Sequence, residues 1–431
     1  MGGVGSISVL DGWLPVAAWL AGMAGLAFLL VPRRRRRWWL AYPLLLAVAI
    51  AGTWVLYLLL VYVWLVISEP LPLDVLAWVA GAAFAILLAL YAGRRARWPW
   101  RSGAAVAAIA VVVLAGLQIN AYFGQYTTVG SLMGQQTHVP ALAAGLKRGA
   151  GTGTVGTMSA RTGAAMPRHG TVAQAPIAGP ASGFDARNAI IYLPPAYTPN
   201  GPDRLPVLVL VAGQPGGPQR WLDAGRLART LDAFAASHHG RAPVVVVADP
   251  NGSTAGNTMC MDSHIARADT YLSVDVPAWI TRTLNVSDPG RGWAFGGFSF
   301  GGTCAIQMAT THPRLYPDVI DISGQREPAL SVKRQDTIAR AFGGDAAAFT
   351  ARVPLTLLAH RSYPGTHAYF AVGAHDRRYG ADQDIVTAAA RSAGMHVKAV
   401  RVPGTGHSWA AARAGLAGGL RYLAPTWGMG K

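Results

Sequence analysis

The chain has 431 residues, and its share of charged residues, 13%, is well below the roughly 25% of an average soluble domain. Hydrophobic residues make up 52% of it, and their excess lies in the first third of the sequence, which excludes a wholly soluble globular protein. The formal net charge is +17, but the basic residues are scattered and match no nucleic-acid-binding motif. We therefore exclude a nucleic-acid partner and expect attraction to anionic lipid or envelope polymer.

Four apolar runs fill the first third, at about residues 14–31, 38–67, 75–92 and 104–121. A helix that crosses the hydrocarbon core needs about 20 mostly apolar residues. Three runs reach that length with their flanks, and the second is longer, so it must tilt or extend beyond the hydrocarbon. We predict a four-helix transmembrane domain over residues 1–121. The runs contain no acid, lysine or histidine, which argues against an ion pathway and favours an anchor or a surface for a protein partner.

The arginines predict how these helices are oriented. Residues 33–37 are five consecutive arginines between the first two runs, and residues 94–101 hold four more between the last two. The flank at residues 68–74 carries no basic residue. Positively charged loops stay in the cytoplasm, so everything after residue 121 is expected outside it. A cleaved signal peptide is not expected, because the positive charge follows the first apolar run instead of preceding it.

Residues 122–170 are rich in Gly, Ala, Thr and Ser, a composition typical of a flexible tether. Gly151, Gly153 and Gly156 match the G-x-G-x-x-G pattern of dinucleotide sites. That site needs a preceding strand and a following helix, and the sequence indicates neither. We predict a linker here and no bound cofactor.

Strand and helix patterns alternate over residues 171–431. Continuous apolar runs such as 207–211 and 244–248 are typical of strands buried on both faces. Helical patterns lie between them, for example at residues 221–236 and 384–393. This alternation predicts an α/β domain with a mainly parallel sheet and helices on both faces.

One segment of this domain, residues 297–301, reads G-x-S-x-G. An apolar run precedes it and a helical pattern follows it, which is the context of a nucleophile elbow. The glycines fit such a turn because a Cβ at either position would clash with neighbouring backbone. The following helix would favour negative charge at its N-terminus. Ser299 is therefore the candidate nucleophile.

Asp376 and His407 follow Ser299 in the order serine, acid, histidine that α/β-hydrolases use. Asp376 comes just after the strand pattern of residues 368–372, where parallel sheets place their chemistry. His407 lies on a glycine-rich loop after another strand pattern. We expect His407 to take the proton of Ser299 and Asp376 to orient the imidazole.

An oxyanion hole needs two backbone N–H groups. Phe300, directly after the nucleophile, is expected to supply one. The loop at residues 212–217 is expected to supply the other, from Gln214 or, as the alternative, Gly213.

Four other polar side chains are candidates for a role at this site, as an acid of the triad or as a metal ligand. Asp318 and Asp321 stay open as alternative acids of the triad, because some hydrolases take the acid from an earlier strand. His367 and His375 match no paired metal-ligand spacing, so we expect surface or pocket-rim groups and no metal.

The two cysteines, Cys260 and Cys304, are predicted to form a disulfide in the outer compartment. It would tie the loop after the strand of residues 244–248 to the helix behind the nucleophile. Two buried free thiols are the alternative.

Five segments together resemble the putative-esterase branch of the α/β-hydrolases, which includes esterase D and the mycolyltransferases. They read YLPPAY at 192–197, GQ at 213–214, GFSFGG at 297–302, GAHD at 373–376 and GHSW at 406–409. The resemblance spans about residues 171–423 and extends to an actinobacterial subgroup with membrane helices ahead of an exported esterase domain. It implies Ser299, Asp376 and His407 as the triad. Members include both hydrolases and acyltransferases, so the resemblance leaves the reaction class open.

The sequence thus predicts a multi-pass protein of the cell membrane with its catalytic domain outside the cytoplasm. The expected function is a serine esterase that acts on lipid or cell-envelope esters, with aminoacyl-phospholipid as one candidate substrate. One alternative is an acyltransferase of the mycolyltransferase type that moves the acyl group to a sugar or lipid hydroxyl. A second alternative is a non-catalytic membrane assembly module.

Overall fold

The computed structural model describes residues 3–31, 38–64, 70–94, 97–149 and 166–430. Contacts divide the chain into two compact units. The first comprises Met1–Gln136 with Leu330–Arg334, and the second comprises Thr137–Ala329 with Gln335–Lys431. Two predicted features lie outside the described residues, namely the arginine block at 33–37 and the G-x-G-x-x-G pattern at 151–156.

Four long helices form the first unit, Trp13–Leu30, Trp38–Val63, Leu73–Gly93 and Trp98–Phe123. Each is long and apolar enough to cross a membrane, as the sequence predicts. At most 33% of the apolar window of any of them is buried within the protein. Apolar side chains therefore face outward around these helices, as expected of helices surrounded by lipid.

Small residues let the first and fourth of these helices approach closely. A Cβ added to Gly25 would lie 2.7 Å from the carbonyl oxygen of Ala107, and one added to Gly22 would lie 2.6 Å from the Leu114 side chain. Such contacts between small residues are the usual way in which membrane helices pack, because lipid provides no hydrophobic drive for association.

In the described residues, an eight-stranded sheet organises the second unit. Its strands, numbered β1 to β8 in chain order, are Thr171–Ala175, Ala189–Leu193, Val207–Val211, Val244–Val247, Trp293–Phe298, Asp318–Ile322, His367–Gly373 and His396–Val402. They lie in the order β1-β2-β4-β3-β5-β6-β7-β8. The pairs β1–β2 and β2–β4 are antiparallel, and all the others are parallel. This mainly parallel sheet confirms the predicted α/β-hydrolase fold.

Helices cover both faces of this sheet. Gly302 of the helix Phe300–Thr311 lies against Asp321 of β6, since an added Cβ would be 2.6 Å from its Oδ1. Gly419 lies against Ile320, since an added Cβ would be 2.7 Å from its Cδ1. Consecutive side chains of a strand point to opposite faces, so these two helices lie on opposite sides of the sheet. The α-helices of the unit are Gln219–Asp223, Leu227–Ala236, Ala268–Thr270, Val276–Thr283, Phe300–Thr311, Arg334–Phe342, Ala346–Thr350, Pro354–His360, Arg377–Ser392 and Trp409–Leu423.

We call Phe300–Thr311 the elbow helix and Trp409–Leu423 the C-terminal helix. One predicted helix, at residues 221–236, is in fact two. Arg226 breaks it by adopting the left-handed conformation, with φ 48° and ψ 41°. A right-handed helix cannot continue through such a residue.

Part of the predicted linker belongs to the second unit, which begins at Thr137. Val139 and Leu142 are buried in the hydrophobic core of that unit. The backbone N–H of Leu142 donates to Gln174 of β1 at 2.9 Å. Residues 150–165 lie outside the part of the chain that the structure describes.

Candidate active site

Ser299 lies at the sharp turn between β5 and the elbow helix. Its backbone has φ 58° and ψ −117°, a conformation that side-chain-bearing residues rarely adopt. Two hydrogen bonds hold the turn: the N–H of Ser299 donates to Ile322 of β6 at 2.8 Å, and the N–H of Thr303 donates to Ser299 at 3.1 Å. The strain is thus built into the connection from strand to helix, as in a nucleophile elbow.

The two glycines that flank Ser299 are required by close backbone contacts. A Cβ on Gly297 would lie 2.3 Å from the carbonyl group of Gly301. A Cβ on Gly301 would lie 2.1 Å from the carbonyl oxygen of Val211 at the end of β3. Neither position can hold a larger residue without moving backbone, as the G-x-S-x-G pattern predicts.

The three side chains predicted as a triad meet in one hydrogen-bonded chain. The Nε2 atom of His407 is 2.9 Å from the Oγ atom of Ser299, and its Nδ1 atom is 2.9 Å from Oδ2 of Asp376. With the proton on Nδ1, the imidazole donates to the carboxylate and accepts from the hydroxyl, which satisfies all three groups. Ser299 and Asp376 are each only 6% exposed, so little water competes for these bonds.

Asp376 is itself fixed by the helix Arg377–Ser392, which begins directly after it. As the N-cap of this helix, its Oδ1 atom accepts from the backbone N–H of Tyr379 at 3.2 Å. One carboxylate oxygen therefore caps a helix while the other faces His407. This division holds the carboxylate in one orientation.

Two aromatic rings enclose the imidazole of His407. The ring of Tyr379 stacks on it with centroids 3.9 Å apart, and the ring of Phe298 stacks with centroids 4.9 Å apart. Neither residue is predicted from the sequence as part of the site. Phe298 precedes the nucleophile and Tyr379 lies three residues after the acid, so both are near the site along the chain, but no local pattern indicates their contact with the imidazole.

The loop at residues 212–217 passes beside the nucleophile. A Cβ on Gly213 would lie 3.4 Å from Cβ of Ser299, so this backbone is in contact with the serine. The Gln214–Pro215 peptide is cis. The side-chain amide of Gln214 donates to the carbonyl oxygen of Ala255 at 3.2 Å. Phe300 is the first residue of the elbow helix, where backbone N–H groups have no acceptor inside the helix. The predicted donors, Phe300 and Gln214, thus lie in the two segments next to Ser299.

An ion pair between the half-buried Arg187 and the buried Asp249 supports this loop. Arg187 donates from Nε to Oδ2 of Asp249 at 2.7 Å and from Nη2 to its Oδ1 at 2.9 Å. The same Nη2 group donates to the carbonyl oxygen of Gly216 at 2.9 Å. Asp249 is 1% exposed, and a paired guanidinium fork satisfies both of its oxygens. Arg187 was not found from the sequence, because its partners lie far from it along the chain.

The alternative acids have other partners. Asp321 accepts from the N–H of Gly324 at 2.9 Å, and complete burial raises its pKa to about 8. Asp318 accepts from the indole N–H of Trp427 at 3.1 Å and lies 3.2 Å from Nδ1 of His367. Asp376 is the carboxylate that faces His407.

The described residues contain no group of three or more His, Cys, Asp or Glu side chains that could hold a metal ion. His367 faces Asp318, as described above, and His375 is exposed on the turn before Asp376. The prediction of no metal stays a prediction for the chain as a whole.

A disulfide joins Cys260 to Cys304, as predicted. Cys260 follows β4 and Cys304 belongs to the first turns of the elbow helix. A hydrogen bond reinforces the same contact, since the amide of Gln307 donates to the carbonyl oxygen of Met259 at 2.9 Å. The loop that carries Cys260 is therefore fixed covalently to the helix behind the nucleophile.

Comparison with known proteins agrees with this fold. A family model described as "Putative esterase" matches residues 185–423. An uncharacterized protein of Corynebacterium glutamicum is 36% identical over 417 residues, which cover 94% of each chain. This match leaves out only 6% of the chain, so it includes most of the first unit.

Two solved structures share the fold of the second unit. An S-formylglutathione hydrolase from Agrobacterium tumefaciens aligns with a TM-score of 0.51 and 16% identity, over 61% of this chain and 98% of that one. A ferulic acid esterase aligns with a TM-score of 0.50 and 14% identity, over 60% and 98%. Both likenesses concern the fold alone. From its family match and its relative, the chain belongs to the putative-esterase family of α/β-hydrolases and is a serine hydrolase.

Proposed function

We propose that this protein is a membrane-anchored serine esterase that hydrolyses ester bonds of lipid or cell-envelope substrates. The observation that carries the proposal is the unbroken chain from Ser299 through His407 to Asp376, with 2.9 Å at each step. A serine hydroxyl paired in this way is activated as a nucleophile, because the imidazole can accept its proton as the new bond forms.

In the proposed reaction, His407 takes the proton of Ser299 while Oγ attacks the ester carbonyl carbon. The negative charge that develops on the carbonyl oxygen is held by the backbone N–H groups of Phe300 and Gln214, or of Gly213 as the alternative. The C–O bond to the alcohol then breaks, and the alcohol leaves with the proton from His407. The acyl group stays on Ser299 as an ester.

Water completes the cycle. His407 removes a proton from a water molecule, which attacks the acyl carbon of the Ser299 ester. Collapse of this second tetrahedral intermediate releases the carboxylic acid, and the proton on His407 returns to Oγ. Asp376 orients the imidazole and stabilises the imidazolium that forms twice in each cycle.

Two observations support a site near the outer leaflet of a membrane. The four long apolar helices suit an anchor over residues 1–121, and the arginines at 94–101 suit a cytoplasmic loop between the last two. The disulfide between Cys260 and Cys304 suits an oxidising compartment. In this arrangement residues 122–170 connect the anchor to a catalytic domain over 171–431, outside the cytoplasm.

The net charge favours substrates that carry negative charge. Residues 1–124 hold nine of the 37 basic and three of the 20 acidic residues, so the rest of the chain has 28 basic and 17 acidic residues and a net charge of +11. A domain with this charge beside a bilayer is attracted to anionic lipids and envelope polymers. Aminoacyl-phospholipid is our candidate substrate, because it combines an ester with an anionic phosphate inside the lipid layer.

The test is a comparison of lipid extracts from cells that produce the wild type, Ser299→Ala or the control Ser362→Ala, in which an exposed serine is replaced. We expect an ester lipid that is depleted by the wild type and the control but retained with Ser299→Ala. Identical lipid profiles in all three strains would contradict the proposed substrate class.

The same nucleophilic step would serve an acyltransferase, which differs only in the group that attacks the acyl-enzyme. Isotope-labelled acyl chains separate the two reactions. Label in free acid supports hydrolysis, and label in a new sugar or lipid ester supports transfer. The non-catalytic alternative is not favoured, because the chain belongs to an esterase family.

A further inference from the structure

We propose that the second unit has a second binding site, which lies between the helix Leu227–Ala236 and the C-terminal helix. Its ligand would be a phosphate ester with a short apolar chain. A cavity of about 390 Å³ lies between these helices. This volume falls within the range of pockets that bind small molecules. None of the triad residues lines it, so the inference does not depend on which ester the enzyme cleaves.

Four arginines line this pocket, Arg226, Arg229, Arg413 and Arg421. The guanidinium groups stay protonated at any physiological pH, so together they repel one another. Of the described residues that line the pocket, none is acidic. An anion bound there would remove this repulsion, and guanidinium forks match the oxygens of a phosphate in pairs.

The one acid on the helix Leu227–Ala236 is Asp232, and its carboxylate has other partners. It accepts from the N–H of Gly170 and from the hydroxyl of Tyr192, both at 2.8 Å, and His169 approaches it at 3.0 Å. Its charge is thus committed to the segment before β1 and to β2. The pocket keeps its positive charge.

The backbone that presents Arg226 is strained. Arg226 has φ 48° and ψ 41°, at the break between two helices, where glycine would adopt the same conformation without strain. The same turn is tied to the C-terminal helix, because Nη1 of Arg413 donates to the carbonyl oxygen of Ala224 at 2.8 Å. Strain that the surrounding structure holds in place occurs often at binding sites.

Apolar side chains complete the pocket. Ala233, which is exposed, and Ala417, which is half-buried, both line it. A purely inorganic anion would leave their methyl groups against water, whereas a short hydrocarbon chain next to the phosphate would cover them. The combination favours a phosphate ester with an apolar portion, which a lipid headgroup or a soluble metabolite could provide.

Binding can be measured by isothermal titration calorimetry on the full chain in neutral detergent micelles. The probes are dihexanoyl phosphatidic acid, glycerol 1-phosphate and dihexanoyl phosphatidylcholine. The test variant is Arg229→Gln/Arg421→Gln, and the control Arg340→Gln/Arg391→Gln removes the same charge from two exposed arginines elsewhere. All four positions are exposed, so thermal unfolding of the variants should match the wild type.

We expect the wild type and the control to bind phosphatidic acid equally, and the test variant to bind it at least about tenfold more weakly. Glycerol 1-phosphate is expected to bind about tenfold more weakly than phosphatidic acid, because it lacks the chains that would cover Ala233 and Ala417. The substitution Arg229→Lys/Arg421→Lys, which keeps the charge without the fork, should fall between.

Three results would overturn the proposal. The first is equal weakening in both double variants, which would assign binding to net charge. The second is phosphatidylcholine binding as tightly as phosphatidic acid. The third is the absence of measurable phosphatidic acid binding at low ionic strength. Glycerol 1-phosphate binding as tightly as phosphatidic acid would refute the apolar portion and assign the site to soluble phosphate.

Discussion

The ring of Tyr379 lies parallel to the imidazole of His407, with an angle of 17° between the planes and 3.9 Å between the centroids. The ring of Phe298 also stacks on this imidazole, with centroids 4.9 Å apart. The hydrogen bonds of His407 fix two atoms of the imidazole, but they leave the ring free to rock about the line that joins them. The stacked rings restrict that motion, so Tyr379 is a positioning residue for the proposed base.

Tyr379→Ala should therefore lower kcat for a soluble nitrophenyl ester by about five- to tenfold, since an aromatic pair contributes about 1 kcal/mol. KM should change little. Tyr379→Phe keeps the ring and should retain nearly full activity. The cap on Asp376 uses the backbone N–H of residue 379, which neither substitution removes. Equal losses in both variants would show that the hydroxyl matters instead of the stacking.

Arg187→Met should remove the support behind the loop at 212–217. Asp249 would be left buried without its partner, which costs about 3–5 kcal/mol of folding free energy. The double variant Arg187→Met/Asp249→Asn removes that charge and should recover most of the thermal stability. It should not recover kcat, because the carbonyl oxygen of Gly216 then lacks its guanidinium donor, and only the bond from the Gly216 N–H to Thr254 remains. Recovery of both quantities together would mean that Arg187 acts on stability alone.

Asp321→Asn should change how stability depends on pH. The folded pKa of Asp321 is about 8, above the ordinary value of 3.8, because burial disfavours the charged form. Between these values the folded state holds a proton that the unfolded state has lost, so the wild type loses stability as pH rises from about 4 to 8.

Asparagine resembles the neutral acid and can still accept from Gly324, so the variant should lack this slope. Unfolding temperatures in detergent at pH 5 and pH 8 check the prediction. The difference between variant and wild type should grow toward pH 8. A constant difference would show that Asp321 is ionised in the folded protein.

Reduction of the disulfide should destabilise the second unit. The cysteines are 44 residues apart. Closing a loop of this size lowers the entropy of the unfolded chain, which raises its free energy by about 4 kcal/mol at 25 °C. Thermal unfolding with and without a phosphine reductant measures the loss, and Cys260→Ala/Cys304→Ala should reproduce it without further response to the reductant. A variant as stable as the oxidised wild type would refute the structural role.

The sequence predicted the parts of this structure that local patterns encode. The runs at 207–211 and 244–248 are buried strands because every residue in them is apolar, and Ser299 is recognisable because glycines flank it. The strand Asp318–Ile322 is not predicted from the sequence, because its two aspartates interrupt the apolar run. Both are buried and satisfied in the fold, which no local pattern shows.

The rest depends on contacts between distant segments. Arg187 finds Asp249 and Gly216 only after β2, β4 and the loop after β3 have come together. The break at Arg226 was also missed, because the helical periodicity continues through it. The arginine pocket follows from that break and from the C-terminal helix, which begins almost two hundred residues later.

The central claim is that Ser299 is the nucleophile of this serine hydrolase. The most direct measurement is tandem mass spectrometry of the full chain after reaction with a fluorophosphonate, for the wild type, Ser299→Ala and His407→Ala. We predict a phosphonylated peptide with the modification on Ser299 in the wild type, none in Ser299→Ala, and a strongly reduced amount in His407→Ala. Modification of another residue, or equal labelling of Ser299→Ala, would contradict the account.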